Sequence, residues 1–148
     1  MIFQMQEGYL ILGEGDWQDT SVNMLGANHL PTKGTNLVVT RESLPDGMLL
    51  ADYLLNQKSI LSRELPGLEI LFETPDTING LPAHFLEFTW DNQGNAMHQM
   101  IFIIVNNDKA LNLTSTVPGK IDDESRATLV ATMRSFTVGQ APHEMKES

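Results

Sequence analysis

The sequence predicts an α+β fold, in which an antiparallel β-sheet of about six to seven strands is flanked by two main helices. Segments with the alternating or β-branched pattern of strands outnumber helical segments. The links between the later strands are short and rich in Asn and Gly, as they are in hairpins. Strand–helix–strand alternation does not recur along the chain, so a parallel sheet is not expected.

The first third of the chain reads as strands. Residues 1–15 alternate apolar and polar residues and break at Glu7 and Gly8, which predicts a short hairpin. Residues 21–26 alternate again and place Val22 and Met24 on one side of the pleat. The β-branched residues 35–42, with Val38 among them, predict a further strand.

Residues 48–65 predict the first helix. Asp46 is placed to cap it, and Pro66 and Gly67 end it. At 100° per residue its apolar side chains form two stripes. One stripe contains Leu49, Tyr53 and Ile60, and the other contains Leu50, Leu54, Leu61 and Leu65, with Gln57 among them. We expect the first stripe to pack on the sheet, whereas the second either widens the same buried face or borders a groove.

The rest of the chain predicts a strand, a three-stranded meander and a second helix. A strand over 68–78 is followed by an Asn-Gly turn at 79–80, and further turns at 92–95 and 106–109 divide residues 81–118 into three strands. Asp122 is placed to cap a helix over 122–136. We expect one domain over residues 1–138 and a disordered tail over 139–148.

Composition excludes several classes of function. Nine basic residues against nineteen acidic ones give a net charge of -10, so nucleic acid is not an expected partner. The chain has no cysteine, which removes disulfides and thiolate zinc sites. It shows neither a transmembrane span nor the charged start and unbroken apolar run of a signal peptide. We therefore expect a cytoplasmic protein that does not itself insert into membranes.

No set of residues predicts catalysis, a cofactor or a metal. His84 and His98 fall on strands that could pair, but a third ligand with recognisable spacing is missing. The acidic run at 122–124 lacks the spaced oxygen ligands and central Gly of a calcium loop. A nucleophile elbow and a phosphate-binding loop are also missing. We therefore expect a protein that is not an enzyme.

Four segments of the chain together match a known family. These segments are DWQDTSVNML at 16–25, LVVTRESLPDGMLLADYLLNQKSILSRELPGLEIL at 37–71, INGLPAHFLEFTW at 78–90 and LNLTSTVP at 111–118. They resemble the Eag chaperones, the effector-associated proteins of bacterial type VI secretion. The resemblance implies a PsbP-like or DcrB-like fold. It further implies a cytoplasmic homodimer that binds the N-terminal transmembrane helices of a Rhs-type or PAAR-domain effector before export.

The resemblance also implies a groove formed by the sheet and the long helix, in which amide side chains lie among apolar ones. The residues that match the groove are Val22, Met24, Val38, Gln57, Leu61, Leu65, Met97, Gln99 and Met100. The side of the pleat on which residues 97–100 lie stays open, because the preceding turn can differ by one residue. Two alternatives to a chaperone also stay open: a carrier of a lipid or small apolar ligand, and an immunity or scaffold protein of the same secretion system.

Overall fold

A computed structural model describes residues 2–4, 7–15 and 21–139. Its elements are β1 (Ile2–Gln4), β2 (Tyr9–Ile11), β3 (Asn23–Gly26), β4 (Asn36–Ser43), α1 (Leu50–Glu64), β5 (Glu69–Ile78), β6 (Leu81–Asn92), β7 (Asn95–Asn106), β8 (Lys109–Pro118) and α2 (Asp123–Arg134). The predicted α+β class is confirmed. Most of the predicted tail, residues 140–148, lies outside the described residues.

The strands form one large sheet and one separate hairpin. The six-stranded sheet has the order β3-β4-β8-β7-β6-β5, and β1 and β2 pair as the predicted hairpin. Every neighbouring pair in the large sheet is antiparallel. Asn79 and Gly80 both have positive φ, at 47° and 85°, as a two-residue type I′ turn requires. The pairs Asn92–Asn95 and Asn106–Lys109 close the next two hairpins, so the predicted meander and its turns are confirmed.

The large sheet has two faces, because side chains alternate along each strand. The face under α2, here called the α2 face, carries the main core. That core contains Leu37, Ile78, Ala83, Phe85, Met100, Phe102, Ile104, Leu113 and Val117 from the strands and Leu129 and Met133 from α2. On the opposite face, called the α1 face, Tyr53 packs in a smaller cluster with Leu44, Ile103 and Ala110.

A glutamate links each helix to the sheet. On the α2 face, Arg126 of α2 and His98 of β7 both bond to the buried carboxylate of Glu87. On the α1 face, Lys58 of α1 and His84 of β6 both bond to Glu73. Each helix is thus fixed to the sheet by charge as well as by apolar packing.

The two helices begin differently. The Oδ2 atom of Asp122 accepts a hydrogen bond from the Ser125 amide at 3.1 Å, so the predicted cap of α2 is confirmed. The prediction that Asp46 caps α1 is wrong, because α1 begins later and its N-cap position is Leu49, which makes no side-chain cap bond. A cap must directly precede the first helical residue, and Asp46 lies in the turn before it.

In the described part of the chain, neither helix combines the length and the hydropathy that crossing a bilayer requires.

Candidate functional site

Helix α1 covers only part of its face of the sheet. Leu86 and Phe88, which lie on this face of β6, are both 0% exposed. By contrast, Met24 on the same face of β3 is 69% exposed, and its partner Val38 on β4 is only partly buried. The half of the α1 face formed by β3, β4 and the adjoining part of β8 and β7 is therefore uncovered.

This uncovered area, here called the open strip, consists of neighbouring side chains on the α1 face. Val38 pairs with Met24 on one side and with Thr114 on the other, and Gln99 pairs with Thr116. The open strip contains Met24, Val38, Met97, Gln99, Thr114 and Thr116. Its floor is thus polar in the middle, and thioether and branched apolar groups flank it.

A cleft lies along α1 on the same face of the sheet as the open strip. It has a volume of about 430 Å³ and is lined by Glu42, Ser43, Pro45, Met48, Tyr53, Asn56, Gln57, Ser59, Ile60 and Arg63. Glu42 lies on the same face of β4 as Val38, four residues further along, so the cleft and the open strip lie on the same face of the sheet. Most of the lining is polar or charged, and the cleft is open to solvent.

The two candidate glutamines differ in how they are held. Gln99 accepts a hydrogen bond from the Trp90 indole at 2.7 Å and donates one to the Thr116 hydroxyl at 2.8 Å. The side chain of Gln57 makes no hydrogen bond within the described residues and lines the cleft. Gln57 therefore presents a donor and an acceptor to a partner, whereas the orientation of Gln99 is already fixed by its neighbours.

Tyr53 fixes the wall of the cleft. Its hydroxyl donates to Oε2 of Glu42 at 2.6 Å and accepts from Nδ2 of Asn112 at 2.9 Å. Burial raises the pKa of the Tyr53 phenol above its ordinary value, and the adjacent Glu42 carboxylate adds to the shift. The phenol is therefore neutral at pH 7, and it joins α1 to β4 and β8 through two hydrogen bonds.

The predicted division of α1 into two stripes is partly wrong. Leu50 and Leu54, assigned to the second stripe, pack with Tyr53 against the sheet. Leu49, assigned to the core, is 68% exposed, and Ile60 lines the cleft. The alternative of one broad buried face therefore holds for the first turns of α1. Leu61 and Leu65, nearer its end, are partly buried.

The structure also places the candidates on the strands. Met97 and Gln99 lie on the α1 face, as a groove with α1 requires. Met100 lies on the α2 face and is 1% exposed within the main core, so it cannot reach the open strip. Val22 is 57% exposed and precedes β3, so the pleat side predicted for it does not apply.

Sequence reasoning missed the two threonines of the strip. In β8, Leu111, Leu113 and Val117 face α2, while Thr114 and Thr116 alternate with them and face the open strip. This alternation is visible in the sequence and was the available signal. Sequence reasoning also missed Glu42 and Asn56, for a different reason. Their positions on the cleft depend on how α1 is rotated against β4.

The histidines do not form a metal site together. His84 lies on the α1 face and bonds to Glu73 at 3.0 Å, whereas His98 lies on the α2 face and bonds to Glu87 at 2.6 Å. The sheet separates the two imidazoles. Within residues 2–4, 7–15 and 21–139, no three potential ligand side chains gather around one point.

Comparisons with known proteins place the fold. The DcrB family model matches residues 7–135. A curated protein named Effector EagT6, from Pseudomonas aeruginosa strain PAO1, is 26% identical over 107 residues, which cover 69% of this chain and 72% of that protein.

Two solved structures are also similar. The crystal structure of PA94 from Pseudomonas aeruginosa, a protein of unknown function, has a TM-score of 0.73 at 21% identity and covers 96% of this chain and 98% of its own. The solution structure of cyanobacterial PsbP from Synechocystis sp. PCC 6803 has a TM-score of 0.54 at 15% identity, with 87% and 99% covered. At these identities the likenesses show a PsbP-like fold.

Proposed function

This protein belongs to the DcrB family, and from that premise we propose that it is a chaperone for an effector of a bacterial type VI secretion system. The similarity to Effector EagT6 supports the proposal and agrees with the resemblance of four segments to Eag chaperones. In this proposal the protein works in the cytoplasm as a homodimer. It shields the N-terminal transmembrane helices of a Rhs or PAAR effector until the effector is loaded for export.

The observation that carries the proposal is the half-covered α1 face. A transmembrane helix of about 20 apolar residues exposes more hydrophobic surface than a soluble complex tolerates and needs a cover. Met24, Val38 and Met97 offer apolar contacts of adaptable shape along the open strip. Half a dozen partly buried side chains of this size supply about 5 to 10 kcal/mol before the entropic cost of association.

Polar groups in the strip suit a helix that is not uniformly apolar. Transmembrane helices carry Gly, Ser and Thr, whose hydroxyls and closely approached backbones are hydrogen-bonded by neighbouring helices in a bilayer. Gln57 in the cleft can donate to or accept from such a group, and Thr114 and Thr116 offer hydroxyls on the open strip. We propose that these side chains replace the polar contacts that the client helix later makes in the membrane. Leu61 and Leu65 would contact the client where α1 ends.

The cleft argues against a carrier of lipid. Lipid sites are enclosed and mainly apolar. Here Glu42 and Arg63 line an open cleft, together with the amides of Asn56 and Gln57. A helix laid along the strip can keep these polar groups solvated at its edge, whereas an acyl chain would have to bury them.

Co-expression with the N-terminal fragment of a PAAR-domain effector tests the proposal. We expect the fragment to stay soluble and to co-purify with the wild-type chain. Met24→Asp should reduce the co-purified amount at least tenfold, since it puts a charge on the strip at a side chain that is 69% exposed and needs no repacking. The matched control is Leu55→Asp, a similarly exposed residue at 65% on the far side of α1.

Two outcomes would contradict the proposal. The fragment could be equally soluble and stable without this chain. Alternatively, Met24→Asp could retain the fragment as well as Leu55→Asp does. Circular dichroism of both variants should match the wild type, because both side chains are largely in solvent.

A further inference from the structure

The carboxylate of Glu42, in the cleft along α1, has no basic partner. Its Oε2 atom accepts a hydrogen bond from the buried Tyr53 hydroxyl at 2.6 Å, and that hydroxyl is itself held by Asn112 at 2.9 Å. Glu42 is exposed and forms no ion pair with any other residue that the structure describes. A carboxylate that a buried neighbour already orients can bind a cation from a partner with little loss of side-chain freedom.

Arg63 places the opposite charge at the other end of the cleft. The residues of α1 that line the cleft run from Tyr53 to Arg63, a distance of about 15 Å along the helix. Glu42 bonds to Tyr53, the first of these residues, and Arg63 is the last. Within residues 2–4, 7–15 and 21–139, Arg63 also forms no ion pair. A cation in the cleft is therefore attracted at one end and repelled at the other.

The α1 face of β4 changes from apolar to charged along the strand. Val38, Thr40 and Glu42 are alternate residues of β4, so their side chains lie in one row on this face. Val38 belongs to the open strip, Thr40 lies opposite Asn112, and Glu42 is about 13 Å beyond Val38. A transmembrane helix changes in the same order, because its apolar span ends in polar interfacial residues and, on the cytoplasmic side, in flanks rich in Lys and Arg.

We propose that Glu42 binds a Lys or Arg side chain that flanks the apolar helix of the client, and that this contact sets the direction in which the client lies. The apolar span then covers Met24 and Val38, and its basic end reaches the cleft at Glu42. In the reversed direction the basic end would lie away from Glu42, whose carboxylate would stay without a cation. This inference rests on the proposed function, since it names the part of the effector that the cleft recognises.

The net charge of the whole chain requires a control. At -10 it attracts a basic client wherever that client binds, so the contribution of Glu42 must be separated from the overall field. Glu69 is also exposed, has no ion pair in the part of the chain that the structure describes, and lies on β5, at the opposite edge of the sheet from β3. Glu42→Gln and Glu69→Gln each remove one negative charge at nearly constant volume, but only Glu42→Gln removes it from the cleft.

The first test measures the rate at which a labelled client fragment passes from the purified complex into excess phosphatidylcholine vesicles. The fragment is the N-terminal part of a PAAR-domain effector with Lys or Arg at one end of its apolar helix, either unchanged or with these residues replaced by Gln. With the unchanged fragment, Glu42→Gln should raise the rate about fivefold, the upper end for an ion pair that water can reach. With the neutral fragment it should have no effect, and Glu69→Gln should change neither rate.

The second test measures the direction of the client and uses the absence of cysteine from the sequence. Ser43→Cys introduces a thiol beside Glu42, at a residue that also lines the cleft. The fragment carries a single cysteine at its basic end or at the opposite end, about 30 Å away, whereas a disulfide requires Cα atoms within about 7 Å. We expect oxidation to cross-link the basic end at least tenfold faster. Leu55→Cys, on the far side of α1, should cross-link neither end.

Three results would overturn the inference and leave the proposed function in place: a Glu42→Gln variant that holds the unchanged fragment as long as the wild type does, an equal loss with Glu69→Gln, or equal cross-linking of the two ends of the fragment. A wild-type chain that holds no fragment would overturn both. Circular dichroism of Glu42→Gln should match the wild type, because the amide oxygen of Gln can still accept the hydrogen bond from Tyr53.

Discussion

The buried carboxylate of Glu87 should be the side chain whose charge contributes most to stability. It is 6% exposed and receives hydrogen bonds from Arg126 Nε at 3.0 Å, Arg126 Nη2 at 2.6 Å and His98 Nε2 at 2.6 Å. Glu87→Gln keeps the volume, removes the charge and turns one acceptor into a donor that faces other donors. The variant therefore tests the network without creating a cavity.

The expected loss in the free energy of unfolding is about 3 kcal/mol. A hydrogen bond to a charged group contributes about 1.5 to 3 kcal/mol, against about 1 for a neutral pair, and breaking a buried ion pair costs about 3 to 5. The lower end of the range for a buried ion pair applies, because the Arg126 side chain is 41% exposed and water can replace part of the hydrogen bonding that it loses. For a chain of this size, the melting temperature should fall by about 10 °C. Urea unfolding followed by circular dichroism measures the free energy of unfolding, and thermal unfolding measures the melting temperature.

Glu73→Gln is the matched control. Glu73 also binds a cation and a histidine, but its side chain is 32% exposed and that of Lys58 is 31% exposed. A pair that water reaches this well contributes about 0 to 1 kcal/mol. A Glu87→Gln variant that loses less than about 1 kcal/mol, or no more than Glu73→Gln does, would refute the role given to burial.

The same pair of variants tests a dependence on pH. Burial alone would raise the pKa of Glu87, but the bonds from Arg126 and His98 outweigh it and hold this pKa below the ordinary 4.5. Because the folded pKa is the lower one, the stability that the carboxylate contributes is complete above the ordinary pKa and is lost as pH falls through the folded pKa. The difference between wild type and Glu87→Gln should therefore shrink from pH 7 to pH 3, and a constant difference would contradict the assignment.

Two further substitutions should lower the free energy of unfolding by amounts that the structure predicts. Tyr53→Phe should lower the free energy of unfolding by about 1 to 2 kcal/mol, measured by urea unfolding. It removes the hydroxyl that donates to Glu42 at 2.6 Å and leaves the Asn112 amide without its acceptor. A loss below about 0.5 kcal/mol would show that water replaces both hydrogen bonds. Gly80→Ala should cost about 1 kcal/mol, because φ is +85° while nothing lies within 4 Å of the added methyl group. Gly8→Ala, in the turn of the small hairpin, is the control without left-handed φ, and equal losses would contradict the strain argument.

Local signals predicted the order of elements well. The turns at 79–80, 92–95 and 106–109 are signalled by Asn and Gly, and each of them fixes the next strand as an antiparallel neighbour. The side of the pleat in β7 could not be predicted in the same way. Ile103 and Ile104 point to opposite faces and are 1% and 0% exposed, because β7 is a central strand covered on both sides. An apolar pattern without polar interruptions does not distinguish its two faces, and Met100 was misplaced for this reason.

Long-range geometry accounts for the remaining errors. The rotation of α1 on the sheet decides whether Leu54 or Ile60 is covered, and no local pattern reports that rotation. Glu87 could have been noticed as a charge between Leu86 and Phe88 in an otherwise apolar strand. Its partner Arg126 is 39 residues away, so the network itself was beyond sequence reasoning.

The composition of the open strip bears on how a chaperone for apolar helices could itself remain in solution. A bare apolar sheet face of this size would pair or aggregate when no client is bound. Here Thr114, Thr116 and Gln99 occupy the middle of the face, and water can satisfy them when the strip is empty. Met24 and Val38 lie at the side, where a client helix can reach them without displacing the hydrogen bonds of Gln99. In the proposed function, the polar and the apolar side chains of the open strip thus have separate roles. Thr114, Thr116 and Gln99 keep the strip hydrated when no client is bound, and Met24 and Val38 supply the affinity for the client.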